Sequence, residues 1–204
     1  DGRLGAHGFR RNSAAVWRPV VGLPLITGLD SGSGQWNLAA LMRIMEPARR
    51  VLATDGRHAL VAEIGGLGKI RVFERPVGSE YWSEGNQFER SGAERDDGFG
   101  TSLSFAGDLA IVGAPRLGES GVAYVFSRNP VSGQWREDTL LSDLSVSPNA
   151  GFGTTVMIDG DIALVSHPGT AETSGIVIAY AQDQSTGAWI EHARIAPRIQ
   201  SPGD

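Results

Sequence analysis

The sequence predicts an all-β chain of propeller-type blades, each made of four antiparallel strands, on three observations. A unit of about 53 residues recurs along the chain. Inside each unit, short β-rich runs alternate with glycine-containing turns. Glycine supplies 28 of the 204 residues, about twice the usual ~7%, as a chain of many short strands and turns requires.

The repeat is clearest between Gly98–Trp135 and Gly151–Trp189. Phe99 and Phe152 lie 53 residues apart, as do Gly107 and Gly160, and Trp135 and Trp189 lie 54 apart. An earlier, worn copy runs from Asp55 to Trp82: Gly56 precedes Gly107 by 51 residues, and Trp82 precedes Trp135 by 53. Its opening has decayed to Ala48-Arg49. The SGQW ending at Trp36 repeats that at Trp135, so Pro24 to Thr27 reads as the remnant of a strand before it. Residues 1–22 align with none of these copies.

Within a unit the expected strands are Thr101–Phe105, Leu109–Gly113 and Val122–Phe126, with a fourth opening at the tryptophan. That fourth strand takes in Trp82, Trp135 or Trp189 and continues through Asp138–Leu141 or Glu191–Ile195. Gly107-Asp108 and Gly160-Asp161 sit where a two-residue hairpin needs positive φ, so Asp159-Gly160-Asp161 reads as a turn before an acidic cluster. Leu38 to Arg50 has near-helical spacing of Leu41, Met42, Met45 and Ala48, but its place in the repeat favours strand and loop. Gly65-Gly66-Leu67-Gly68 lacks the lysine of a phosphate loop and reads as a hairpin connection.

Composition narrows the function classes. The 18 cations are 17 arginines and Lys69, scattered in a chain of net charge −5, which argues against a nucleic-acid partner. Cysteine is absent, so neither a disulfide framework nor a thiolate zinc site exists. No apolar run approaches the ~18 residues of a membrane span. Arg10-Arg11 precedes the apolar stretch Ala14–Ile26, but Arg18, Pro19 and Pro24 interrupt it as a signal peptide.

Phe99-Gly100, Gly113-Ala114-Pro115 after an apolar strand, and Ala123-Tyr124-Val125-Phe126 resemble the FG-GAP repeat of integrin α-subunit propellers and of many bacterial secreted proteins, the latter most closely. The next copy keeps Phe152-Gly153 and reads Ser166-His167-Pro168 at the triplet. The resemblance implies a propeller used for extracellular recognition. On this reading residues 1–47 hold a degenerate first blade and an unassigned segment, and 48–97 a worn FG-GAP-like blade. Residues 98–150 form a clear one, and 151–204 a further blade with a C-terminal strand. Just under four blades fit in 204 residues. An excerpt of a longer propeller, a closed four-blade ring, and an arc completed by other copies all remain open.

Many FG-GAP repeats carry a calcium loop, Asp-x-Asp-x-Asp-Gly-x-x-Asp. Its place here reads Arg95-Asp96-Asp97-Gly98 and Ser147-Pro148-Asn149-Ala150. Asp96 and Asp97 are thus the candidate calcium ligands. Without the alternating acidic triplet they read instead as solvated turn residues, and no cofactor is expected. His7, His58, His167 and His192 make no zinc spacing, and His167 reads as a loop histidine. Ser166, His167 and Asp183 have the residue types of a triad without a nucleophile elbow. Asp96-Asp97 and Glu137-Asp138 are adjacent pairs that strand geometry sends to opposite faces. Trp36, Trp82, Trp135 and Trp189 fit blade packing better than a sugar site.

These observations lead to the expectation of a noncatalytic, extracellular structural or recognition module. Its partner is a protein or another copy of itself, with a glycan as a further option. The alternatives are the propeller portion of a larger secreted enzyme and a carbohydrate-binding module.

Overall fold

A computed structural model describes residues 5–10, 13–17, 25–29, 36–41, 49–64, 68–79, 83–92, 96–143, 145, 148–169 and 174–196, with side chains from residue 53 onward. The described elements are all β-strands. Strands β1 (Gly5–Arg10) and β2 (Ser13–Trp17) form one antiparallel hairpin, and β3 (Leu25–Leu29) and β4 (Trp36–Leu41) a second, with β2 beside β3. Three four-stranded antiparallel meanders follow. The first holds β5 (Arg49–Thr54), β6 (His58–Ile64), β7 (Lys69–Glu74) and β8 (Ser83–Phe88). The second holds β9 (Ser102–Ala106), β10 (Leu109–Ala114), β11 (Val122–Arg128) and β12 (Trp135–Leu141). The third holds β13 (Thr155–Asp159), β14 (Ile162–Gly169), β15 (Ser174–Gln182) and β16 (Trp189–Ile195).

Three four-stranded sheets of the expected kind are therefore present, with the fourth strand of the last two starting at the repeated tryptophan. Leu38 to Arg50 divides between β4 and β5, with 42–48 outside the described residues, as are Trp82 and Gly65–Leu67. β6 and β7, which flank that glycine run, pair as a hairpin with Glu63 opposite Lys69. At the tight turns Ala106 pairs with Leu109, and Asp159 with Ile162. The first turn residues, Gly107 and Gly160, have φ of 60° and 58°, the backbone that a two-residue hairpin asks of its first position.

Strand alternation lets the middle sheet bury both of its faces. Ala110, Val112, Tyr124 and Phe126 pack with Leu60, Ala62, Ile70, Val72 and Phe88 of the sheet before. Ile111, Ala123, Val125 and Leu141 point the other way, against Val156, Ile158, Val165, Ile178 and Tyr180 of the sheet after. The first strands β5, β9 and β13 lie next to one another, which makes them the inner strands of stacked propeller blades.

Candidate functional site

The Phe-Gly segments sit where one blade meets the next. Phe99 is 1% exposed and Phe152 is fully buried. Gly100 and Gly153 follow with φ of 87° and 88°, a backbone that suits glycine. Their N–H groups donate to Gly113 and Ser166 within their own blades. Gly153 then reaches back, its carbonyl accepting the Ser102 hydroxyl at 2.7 Å. Ser104 Oγ accepts the Ile158 N–H at 3.2 Å, and Phe152 N donates to Ser120 at 2.7 Å. Aromatic rings fill the seam on the other side: Phe88 lies 4.7 Å from Phe126 and stacks on Trp135 at 5.1 Å, with Phe99 edge-on to Tyr124.

Two ionic clusters lock the loops at these seams. Asp97 is buried, and its Oδ2 accepts from Nε and Nη2 of Arg90, while its Oδ1 accepts the Phe99 N–H at 2.7 Å. The Arg90 guanidinium also donates to the carbonyls of Ser91 and Gly92, and lies 5.8 Å from the Tyr124 ring centre. At the next seam Arg194 joins Asp143 at 2.7 Å to Glu191 at 2.7 Å. Burial pushes the Asp143 pKa up, but hydrogen bonds from Ser145 and Arg194 outweigh it and hold the group below the ordinary carboxylate range.

Asp97 is thus a buried ion-pair partner and not the solvated turn residue that the sequence suggests. Asp96 is exposed, with φ of 64°, and its repeat equivalent Asn149 has φ of 63°. Asp and Asn tolerate this left-handed backbone, which explains both positions as turn chemistry. Among the described residues no three His, Asp or Glu side chains are grouped to hold a metal ion.

His167 also departs from expectation. It lies on β14 opposite Ile176, not in a loop, because that strand runs on to Gly169. It is 5% exposed, and neither ring nitrogen has a partner. Burial pushes its pKa down; Asp143 pulls it up and Arg194 lowers it further, for a net decrease. Asp183 is seven residues past Ile176 along the chain, about 23 Å at the rise of a strand. Its carboxylate is occupied by Ser185 and Thr186, whose hydroxyls and N–H groups hold its pKa down at about 2. Ser166, His167 and Asp183 are not assembled. His58 Nδ1 sits 3.1 Å from Asp55 in the β5–β6 turn, and His192 is exposed on β16. Glu137 accepts the Ser91 N–H, while Asp138 pairs with Arg136. Trp135 and Trp189 are half-buried against the cores.

The family model of the FG-GAP repeat matches residues 82–126. That segment begins beside β8, crosses the seam at Phe99-Gly100 and ends in β11, so it spans the junction between two blades. A crystal structure of a protein from Lactobacillus plantarum, a structural-genomics target, superposes with a TM-score of 0.63 at 15% identity. The match covers 95% of this chain and 55% of that one, so the chain spans about half the length of that protein, and the likeness is one of fold. No curated protein matches the chain.

Proposed function

From the premise that this chain is a β-propeller module carrying an FG-GAP repeat, we propose that it is a noncatalytic extracellular recognition or structural module. It works by contact through blade surfaces, with a protein partner or a copy of itself. One observation carries this reading. The buried charged groups at the seams are engaged in pairs that hold loops, whereas the outward face of the last blade offers Met157, Ile162, Ile190 and Ile195 to its surroundings, each 41–56% exposed.

A sugar-binding role has less support, because an aromatic platform needs a free ring face. Trp135 stacks on Phe88, and Trp189 packs against the second core cluster. No helix among the described residues is long and apolar enough to cross a membrane.

A panel of chromogenic ester, glycoside and phosphate substrates tests the reading. The expected result is the same background for the native protein and for His167→Ala. Turnover that disappears in His167→Ala would overturn it.

A further inference from the structure

We propose that His167 makes the seam between the second and third four-stranded sheets a proton-operated joint. The seam is closed while the imidazole is neutral and opens when it is protonated, and the seam between the first and second sheets stays shut. The inference goes beyond the contact-module reading and does not depend on what the module contacts.

The two seams are repeat-equivalent but carry different charges. In the first, Arg90 lies two residues past Phe88 at the end of β8 and pairs with Asp97, two residues before Phe99. Both partners are buried. In the second, Asp143, two residues past Leu141, holds the arginine's place, and the buried Ala150, two residues before Phe152, holds the aspartate's. Asp143 therefore draws its cation from the outer strand β16, where the Arg194 side chain is 39% exposed. His167 lies opposite Ile176 as Ala114 lies opposite Val122. A titratable ring thus stands in the second seam where the first has a methyl group.

A proton on that ring finds no acceptor. His167 is 5% exposed, and neither ring nitrogen has a hydrogen-bond partner. Asp143 is the carboxylate that favours the charge, but both of its oxygens are committed. Oδ1 accepts from the N–H and hydroxyl of Ser145 and from Nη2 of Arg194, and Oδ2 accepts from Nη1 of Arg194. Arg194 itself opposes a second cation, and Glu191 is already bound to it. Tyr180 on β15 stays neutral, its pKa pushed up by burial to about 12. The rest of β14 and the 148–153 segment hold no ionisable side chain. On β13 only Asp159 is charged, at the far turn, and Arg116 and Glu119 of the β10–β11 loop are exposed. Imidazolium at this position is a buried cation that only water can satisfy, and burial accordingly lowers its pKa. Water gains access when the Phe-Gly segment of the third sheet parts from the second.

Three backbone N–H groups span this seam and report its opening: Asn149 donates to the Glu119 carbonyl at 2.6 Å, Phe152 to the Ser120 carbonyl at 2.7 Å and Ile158 to Ser104 Oγ at 3.2 Å. The Phe99 N–H, bonded to Asp97, reports the first seam. Residue-resolved amide hydrogen exchange of the full chain, at about pH 7.5 and about pH 5 and corrected for the exchange of free peptides, tests the proposal. Protection at Asn149, Phe152 and Ile158 is expected to fall at the lower pH, with protection at Phe99 unchanged. An opened histidine with its ordinary pKa of 6.5 bounds the loss at ~30-fold. Asp143, held below the ordinary carboxylate range, keeps its charge at about pH 5. His167→Ala, which copies Ala114, and His167→Gln, which keeps a polar side chain that does not titrate, should each remove the loss and separate His167 from His58 and His192. Protection that does not change with pH, a loss of equal size at Phe99, or a loss that persists in either variant would overturn the proposal.

Discussion

Gly113 and Gly153 approach so closely across a blade seam that a β-carbon on Gly113 would lie 1.9 Å from the Gly153 carbonyl oxygen. Both sides of the contact are backbone, with the Ser102 hydroxyl wedged 2.3 Å from the same point, so little can give way. The first glycine of the Gly113-Ala114-Pro115 triplet therefore exists to admit the Phe-Gly loop of the next blade. Gly113→Ala is expected to cost at least the ~1–3 kcal/mol of an overpacked core site, read as a lower denaturation midpoint at unchanged slope. Melting like that of the native chain would place the seam elsewhere.

Asp97 and Arg90 form an ion pair with side chains no more than 5% exposed. Removing one partner strands the other charge in the interior, so Asp97→Ala is expected to destabilise by about 3–5 kcal/mol. Because the carboxylate is already held by Arg90 and the Phe99 N–H, we expect neither calcium nor a chelator to move the melting temperature. A calcium-dependent rise that Asp97→Ala abolishes would return Asp97 to the role of a ligand.

Acid is expected to weaken the last blade through His167. In the unfolded chain this histidine takes a proton near its ordinary 6.5, whereas burial lowers its pKa in the folded chain. The unfolded state therefore binds more protons below that value, and stability falls as the pH drops from 6.5 toward the folded pKa. Asp143 contributes in a lower window. Its depressed pKa gives stability above the ordinary carboxylate value, lost as the pH falls through the folded one. Thermal melts at about pH 7.5 and about pH 5 should differ more for the native chain than for His167→Ala, whose repeat equivalent is the buried Ala114. Equal differences would remove His167 as the cause.

The strands were legible because the repeat writes each of them more than once. Gly107-Asp108 and Gly160-Asp161 mark two turns, and Trp135 and Trp189 mark two strand starts. Less legible were features set by contacts between units. Arg90 and Asp97 are seven residues apart across a turn, and nothing local says that the turn folds them into one buried pair. The role of Gly113 depends on a loop 40 residues later, and His167 joined a strand because β14 and β15 pair as far as Gly169 and Ser174. Asp96 already reads as a turn residue in the sequence, and it shares a left-handed backbone with its repeat equivalent Asn149.

Stacking of successive blades through aromatic seams is the central structural claim, and a double-mutant cycle between Phe88 and Phe126 tests it most directly. The rings belong to different blades and lie 4.7 Å apart. Phe88→Leu, Phe126→Leu and the double variant, unfolded in denaturant, should show a coupling of about 0.5–1.5 kcal/mol, the value of an aromatic pair beyond its burial. Strictly additive losses would mean that the two blades do not meet there, and would contradict the stack.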